Sequence, residues 1–78
     1  MGGVMTSEEI VSRVKAEIPN AQVKAQDLTG GGDHWRLEVV ATEFVGLSMV
    51  EQHQLVYKAL GELMSGPIHA LSLDTKEA

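Results

Sequence analysis

Apolar residues recur along this chain in two periods, and the changes between them mark its elements. Ile10, Val11, Val14 and Ile18 follow a helical spacing. Ahead of them, Thr6 and Glu9 stand as in a capping box, where the hydroxyl takes a first-turn amide and the glutamate reaches back to the cap amide. Met5 and Ile10 occupy the two positions of a hydrophobic staple. Pro19 ends the helix, because the residue before a proline is pushed out of the α region. From Ala21 to Gln26 the period becomes two, which predicts a half-buried strand. Thr29 to Asp33, with three successive glycines, reads as a loop. Trp35, Leu37, Val39 and Ala41 then alternate within a second strand, His34–Ala41, so the two strands should form an antiparallel hairpin.

Thr42 to Leu47 reads as a turn carrying Phe44 and Gly46. Ser48 and Glu51 repeat the capping spacing and open a second helix. Met49, His53, Val56, Tyr57, Leu60, Leu63 and Met64 share one of its faces, and Gly61 weakens it slightly relative to alanine. Gly66 suits a left-handed cap and Pro67 cannot continue the helix, so the pair ends it. Ile68 to Leu73 is the third strand and Asp74 to Ala78 a loose tail. Strand, helix, strand is a crossover unit, so strands two and three should be parallel neighbours. The expected architecture is α+β, a single α-β-β-α-β domain over residues 1–78, with both helices on one face of a three-stranded mixed sheet. Residues 1–4 read as a disordered tail or an expression remnant.

The chain has 78 residues, enough for one modest core. It has no cysteine, which excludes disulfides and thiolate metal sites within the chain and suits a reducing, cytoplasmic setting. No apolar run approaches the roughly 20 residues that span a bilayer, and the first residues lack the pattern of a signal peptide, so no membrane partner is expected. The net charge is −5, and the six basic residues, Arg13, Lys15, Lys24, Arg36, Lys58 and Lys76, are scattered. Duplex nucleic acid is a polyanion bound by clustered lysine and arginine, so this balance argues against it.

The candidate chemistry rests on histidines. His69 enters the apolar run Ile68-His69-Ala70-Leu71-Ser72-Leu73, and His34 opens the second strand. If those strands are parallel neighbours about 4.8 Å apart, both imidazoles gather at one end of the sheet, where they could share a metal. Side-chain parity opposes this: His34 lies opposite the face of Trp35 and Leu37, whereas His69 shares the face of Leu71 and Leu73. Convergence therefore requires the loop before Trp35 to bend, or His34 to lie just outside the ladder. On spacing alone the two histidines read first as unrelated polar residues at strand ends, since two without a third ligand are a weak metal signal; a site completed by a partner protein would escape that objection. His53, on the apolar face of helix two, reads as a packed imidazole. The glycine loop lacks the Lys-Ser/Thr of a phosphate-binding loop and reads as a flexible hairpin connection, with Asp27 and Asp33 as turn formers. No cysteine nucleophile or serine elbow is present, so no catalysis is expected. Trp35 is expected to anchor the core.

Four segments in this order and spacing resemble the BolA-like family: Gly32-Asp33-His34-Trp35, Phe44-Val45-Gly46-Leu47-Ser48, Gln52-His53-Gln54-Leu55-Val56-Tyr57 and Ile68-His69-Ala70-Leu71-Ser72. The resemblance spans roughly residues 5 to 75 and implies a fold similar to class II KH domains. It also implies a non-enzymatic partner of monothiol glutaredoxins in iron homeostasis or cluster trafficking. Such partners share a bridging two-iron two-sulfur cluster, with the glutaredoxin and glutathione supplying thiolates. The family's C-terminal histidine ligand corresponds to His69. Members carry a second ligand, a cysteine or histidine, in the hairpin loop; this chain has Gly31-Gly32 there, and His34 is the nearby candidate. Some members are described as nucleic-acid-binding transcriptional regulators, which is the alternative function. The family's helix motif often has arginine beside the histidine, where this chain has Gln52 and Gln54, and Gly46-Leu47-Ser48-Met49 does not form the Gly-X-X-Gly clamp of KH domains. A dimerising adaptor, as a homodimer without metal, is a third option.

Overall fold

The computed structural model describes residues 5–78, and Thr6 is the first cap in it. Its side chain accepts from the Glu9 amide at 3.2 Å, and Glu9 returns to the Thr6 amide at 3.3 Å, so the expected capping box opens helix α1 (Ser7–Glu17). Met5 and Ile10 are both buried, as a staple requires. Ile18 caps the end of α1 ahead of Pro19. Strand β1 (Gln22–Asp27) runs antiparallel to β2 (His34–Ala41). A 3-10 turn at Thr42–Phe44 leads to helix α2 (Met49–Leu60), opened by the reciprocal Ser48 and Glu51 cap. A second 3-10 stretch, Gly61–Ser65, leads to strand β3 (Ala70–Glu77), which pairs in parallel with β2.

The sheet order is β1-β2-β3, so β2 is the central strand. Trp35, Leu37, Val39 and Ala41 on β2 face the helices and are buried, while the alternate residues from His34 to Val40 are only partly covered. Ile10, Val14, Val56, Leu60 and Phe44 complete the core from the helical side. The three-stranded mixed sheet, its parallel β2–β3 pair and the two helices agree with the pattern read from the sequence. Among the described residues, no helix is long and apolar enough to cross a membrane. The expectation for residues 1–4 lies outside the described residues.

Three local expectations are corrected. Helix α2 ends at Leu60, and the positive-φ residue there is Gly61 (φ 53°); Gly66, at φ −129°, is not left-handed. The buried face of α2 is also rotated from the one expected. Met49 and Tyr57 are 56% and 41% exposed, whereas Gln52, Val56, Ala59 and Leu60 are buried. Gln52 tolerates burial partly because its Nε2 donates to the Leu47 carbonyl at 3.2 Å. Finally, Asp74–Glu77 is not a loose tail. Its backbone continues the ladder with β2 as far as the Ala41–Glu77 pair, and Thr75 is buried with its hydroxyl 3.3 Å from the Met49 sulfur. Backbone pairing extends the strand through a polar segment that hydrophobic alternation does not mark.

Candidate metal-ligand site

Parallel pairing places His34 beside Ala70, one residue beyond His69. The Asp33 carbonyl accepts two successive amides, His69 N–H at 2.8 Å and Ala70 N–H at 3.2 Å. The ladder with β2 begins at Ala70, so His69 stands just before it and is exposed, although it shares the parity of the partly covered Leu71 and Leu73. His34 is the first residue of β2 itself. Convergence is thus achieved, but the residue outside the ladder is His69 and not His34. The two rings lie with centroids 6.5 Å apart and planes at 89°. The side chain of His34 is 43% exposed, and His69 is exposed. Ile68 fixes the approach to His69: its side chain is buried, and its amide donates to the Leu63 carbonyl at 2.9 Å.

The loop that delivers His34 is tied down, not slack. One Asp27 carboxylate oxygen accepts from the amides of Thr29 (3.2 Å) and Gly30 (2.9 Å), and the other accepts from Gly32 (2.9 Å). Gly30 and Gly32 adopt φ of 81° and 77°, the left-handed region that glycine enters at little cost. Trp35 Nε1 donates to the Gly32 carbonyl at 2.9 Å, and Leu28 N–H to the His34 carbonyl at 2.9 Å. The signal for this order was present in the sequence, an aspartate shortly before Thr-Gly-Gly-Gly, which is the composition of a turn closed by an aspartate side chain. The fuller role of Asp27, accepting three amides, was missed.

Asp33 lies at the centre of the pair. Its Oδ1 accepts from the Thr29 hydroxyl at 3.0 Å and lies 3.4 Å from His34 Nδ1. The Thr29 hydrogen bond, followed by the nearby His34 and His69, holds its carboxyl below the usual aspartate value. His34 Nδ1 is shielded from solvent and has no aligned hydrogen-bond partner, which leaves Nε2 as the nitrogen open to a ligand. His53 lies on α2, half-buried, and is not brought to this end of the sheet. Among the described residues there is no cluster of three or more His, Cys, Asp or Glu able to hold a metal alone. The two rings alone are too few to hold a metal ion. Beside them an open hollow of about 380 Å³ is lined by Leu28, Thr29, His34, Trp35, Ala70 and Leu71.

A family model described as BolA-like protein matches residues 8–78. The chain belongs to the BolA-like family. This BolA-like chain is similar to a Rickettsia prowazekii protein, with 37% identity over 71 residues, covering 91% of this chain and 92% of the other. A bolA homologue from Coxiella burnetii has the same fold, at a TM-score of 0.80 and 32% identity, covering 95% of this chain and 92% of that one. The BolA domain of SufE1 from Arabidopsis thaliana matches at a TM-score of 0.80 and 26% identity, covering 95% of both chains. Some relatives are longer: the chain spans 50% of human BolA-like protein 1.

Proposed function

We propose that this chain is a non-enzymatic partner protein that gives His69 and His34 to a two-iron two-sulfur cluster shared with a monothiol glutaredoxin and its glutathione, in iron-sulfur trafficking or iron and redox regulation. The observation that carries this reading is the pair of solvent-accessible imidazoles 6.5 Å apart at one sheet end. Their donor chemistry fits the group, since imidazole and thiolate both ligate iron-sulfur centres and histidine can replace cysteine on one iron. A two-iron cluster takes about four terminal ligands, of which two rings provide half, and this chain has no cysteine, so thiolate ligands for the rest must come from another molecule. Imidazole ligation would raise the cluster's reduction potential relative to full thiolate ligation. The hollow beside His34, walled partly by Leu28 and Leu71, offers contact area where that molecule must dock. The BolA domain of SufE1 supports a modular role, because there a BolA fold forms one part of another protein.

The nucleic-acid alternative draws little from the charges. Arg13 pairs with Glu62 at 2.7 Å, Arg36 with Asp74 at 2.9 Å and Lys58 with Glu17 at 3.5 Å, in a chain of net charge −5. The decisive experiment is anaerobic cluster assembly with a monothiol glutaredoxin and glutathione, followed by optical spectroscopy of the heterocomplex. His69→Ala should abolish or strongly alter the visible cluster bands, and His34→Ala should alter them as well. An unchanged spectrum in His69→Ala would overturn the assignment.

A further inference from the structure

Asp33 touches both halves of the histidine pair, by different atoms. Its main-chain carbonyl accepts His69 N–H at 2.8 Å and Ala70 N–H at 3.2 Å, which sets where His69 leaves the ladder. Its carboxylate Oδ1 lies 3.4 Å from His34 Nδ1 and is itself tethered by the Thr29 hydroxyl at 3.0 Å. Thr29 is in turn held through its amide by Asp27 at 3.2 Å. The carboxylate is thus held beside the imidazole by a chain of loop contacts, close to Nδ1 but not in line for a hydrogen bond.

The state of His34 follows from what surrounds Nδ1. That nitrogen is shielded from water and has no hydrogen-bond partner; the Asp33 carboxylate is the charged group beside it. A bare lone pair there would face a carboxylate oxygen and be repelled. A proton there would face an acceptor a few tenths of an ångström beyond the N–H···O distance of about 2.9–3.0 Å. The adjacent carboxylate therefore favours the neutral ring's proton on Nδ1, which would leave the Nε2 lone pair free. Ligating histidines in metal sites commonly use such a carboxylate to fix tautomer and ring orientation. We propose that Asp33 is the positioning residue of this site: its carboxylate holds His34 with the proton on Nδ1 and Nε2 presented for ligation, while its carbonyl sets the exit of His69. This inference rests on the shared-cluster reading only for the use made of Nε2; the tautomer itself is a property of the metal-free chain.

The test is long-range proton–nitrogen NMR of the imidazoles in the full, metal-free chain at pH about 8.5, well above the ordinary histidine value of about 6.5. In the wild type His34 should carry its proton on Nδ1. In Asp33→Ala it should revert to Nε2, the site favoured by an unconstrained imidazole. A wild-type His34 protonated on Nε2, or a tautomer unchanged by Asp33→Ala, would overturn the proposal. If Asp33→Ala does not fold, the wild-type spectrum alone decides. In the heterocomplex, Asp33→Ala should weaken cluster retention by roughly 10- to 100-fold, the usual effect of losing such a partner; equal retention would count against it. The NMR arm uses no glutaredoxin. A chain with the Nδ1 proton that assembles no cluster therefore defeats the shared-cluster reading and leaves the tautomer assignment standing, whereas cluster bands over an Nε2-protonated ring do the reverse.

Discussion

Where β2 leaves the sheet, Phe44 and Ala41 are fully buried in the core, and Ser48 and Glu51 close the start of α2. Where β2 enters, the important side chains stay at the surface, and order comes from Asp27, Thr29 and Asp33 binding loop amides and hydroxyls. The far end is thus held mainly by apolar burial, which is non-directional and strong in sum. At the histidine end Trp35 and Ile68 are also buried, but the loop that carries His34 is held by directional polar contacts, each of modest net value. That difference suits the tasks. Under the proposed function the two imidazoles must remain accessible, so they cannot be fixed by burial, and the loop beneath them carries the ordering instead.

The sharpest way to break this comparison is to remove the largest buried group at the far end. Phe44→Ala should lower the unfolding free energy by about 3–5 kcal/mol, measured as a lower urea midpoint. His69→Ala, at an exposed position, should change it by no more than about 0.5 kcal/mol while altering the cluster spectrum. Similar stability losses in the two variants would erase the distinction. Asp27→Ala should cost about 1–3 kcal/mol and speed hydrogen exchange at the Thr29, Gly30 and Gly32 amides. Unchanged exchange there would mean that the glycine conformations, not the carboxylate, order the loop. Ser48→Ala should cost about 1 kcal/mol through the lost helix cap, with no effect on the histidine rings' NMR shifts.

The smallest effect concerns Glu43, next to Phe44. The Asn20 main-chain amide, at 3.0 Å, holds its carboxyl below the usual glutamate value, with the Asn20 side chain adding a second contact at 3.1 Å. A carboxyl lowered in the folded state stabilises the fold above its unfolded value, and that contribution is lost as pH falls through the folded value. Glu43→Gln should therefore be slightly less stable than wild type at pH 7, and the gap should close in acid, below the glutamate range. A gap that persists there would assign the effect to amide packing and not to charge.

Much of the fold was legible locally. The Thr6–Glu9 and Ser48–Glu51 caps, the stop at Pro19 and the alternation of Trp35, Leu37, Val39 and Ala41 each act over a few residues, so short-range spacing reveals them. The chain direction through α2 made β2 and β3 parallel, which sent His34 and His69 to the same end of the sheet. The last four strand residues were hidden because Asp74, Lys76 and Glu77 show no apolar alternation; their pairing depends on a neighbour distant in sequence. The rotated face of α2 was hidden for a similar reason, as Gln52 is an unlikely core residue until the Leu47 carbonyl is placed beside its amide.

By itself, then, the amino-acid order determined which elements form, their sequence along the chain and the end of the sheet where the two imidazoles lie. Whether those rings could meet was decided only in three dimensions. Strict alternation along two paired strands keeps odd and even positions on opposite faces. His69 stands one residue before the paired ladder, tied by its amide to the Asp33 carbonyl, where that rule no longer binds it.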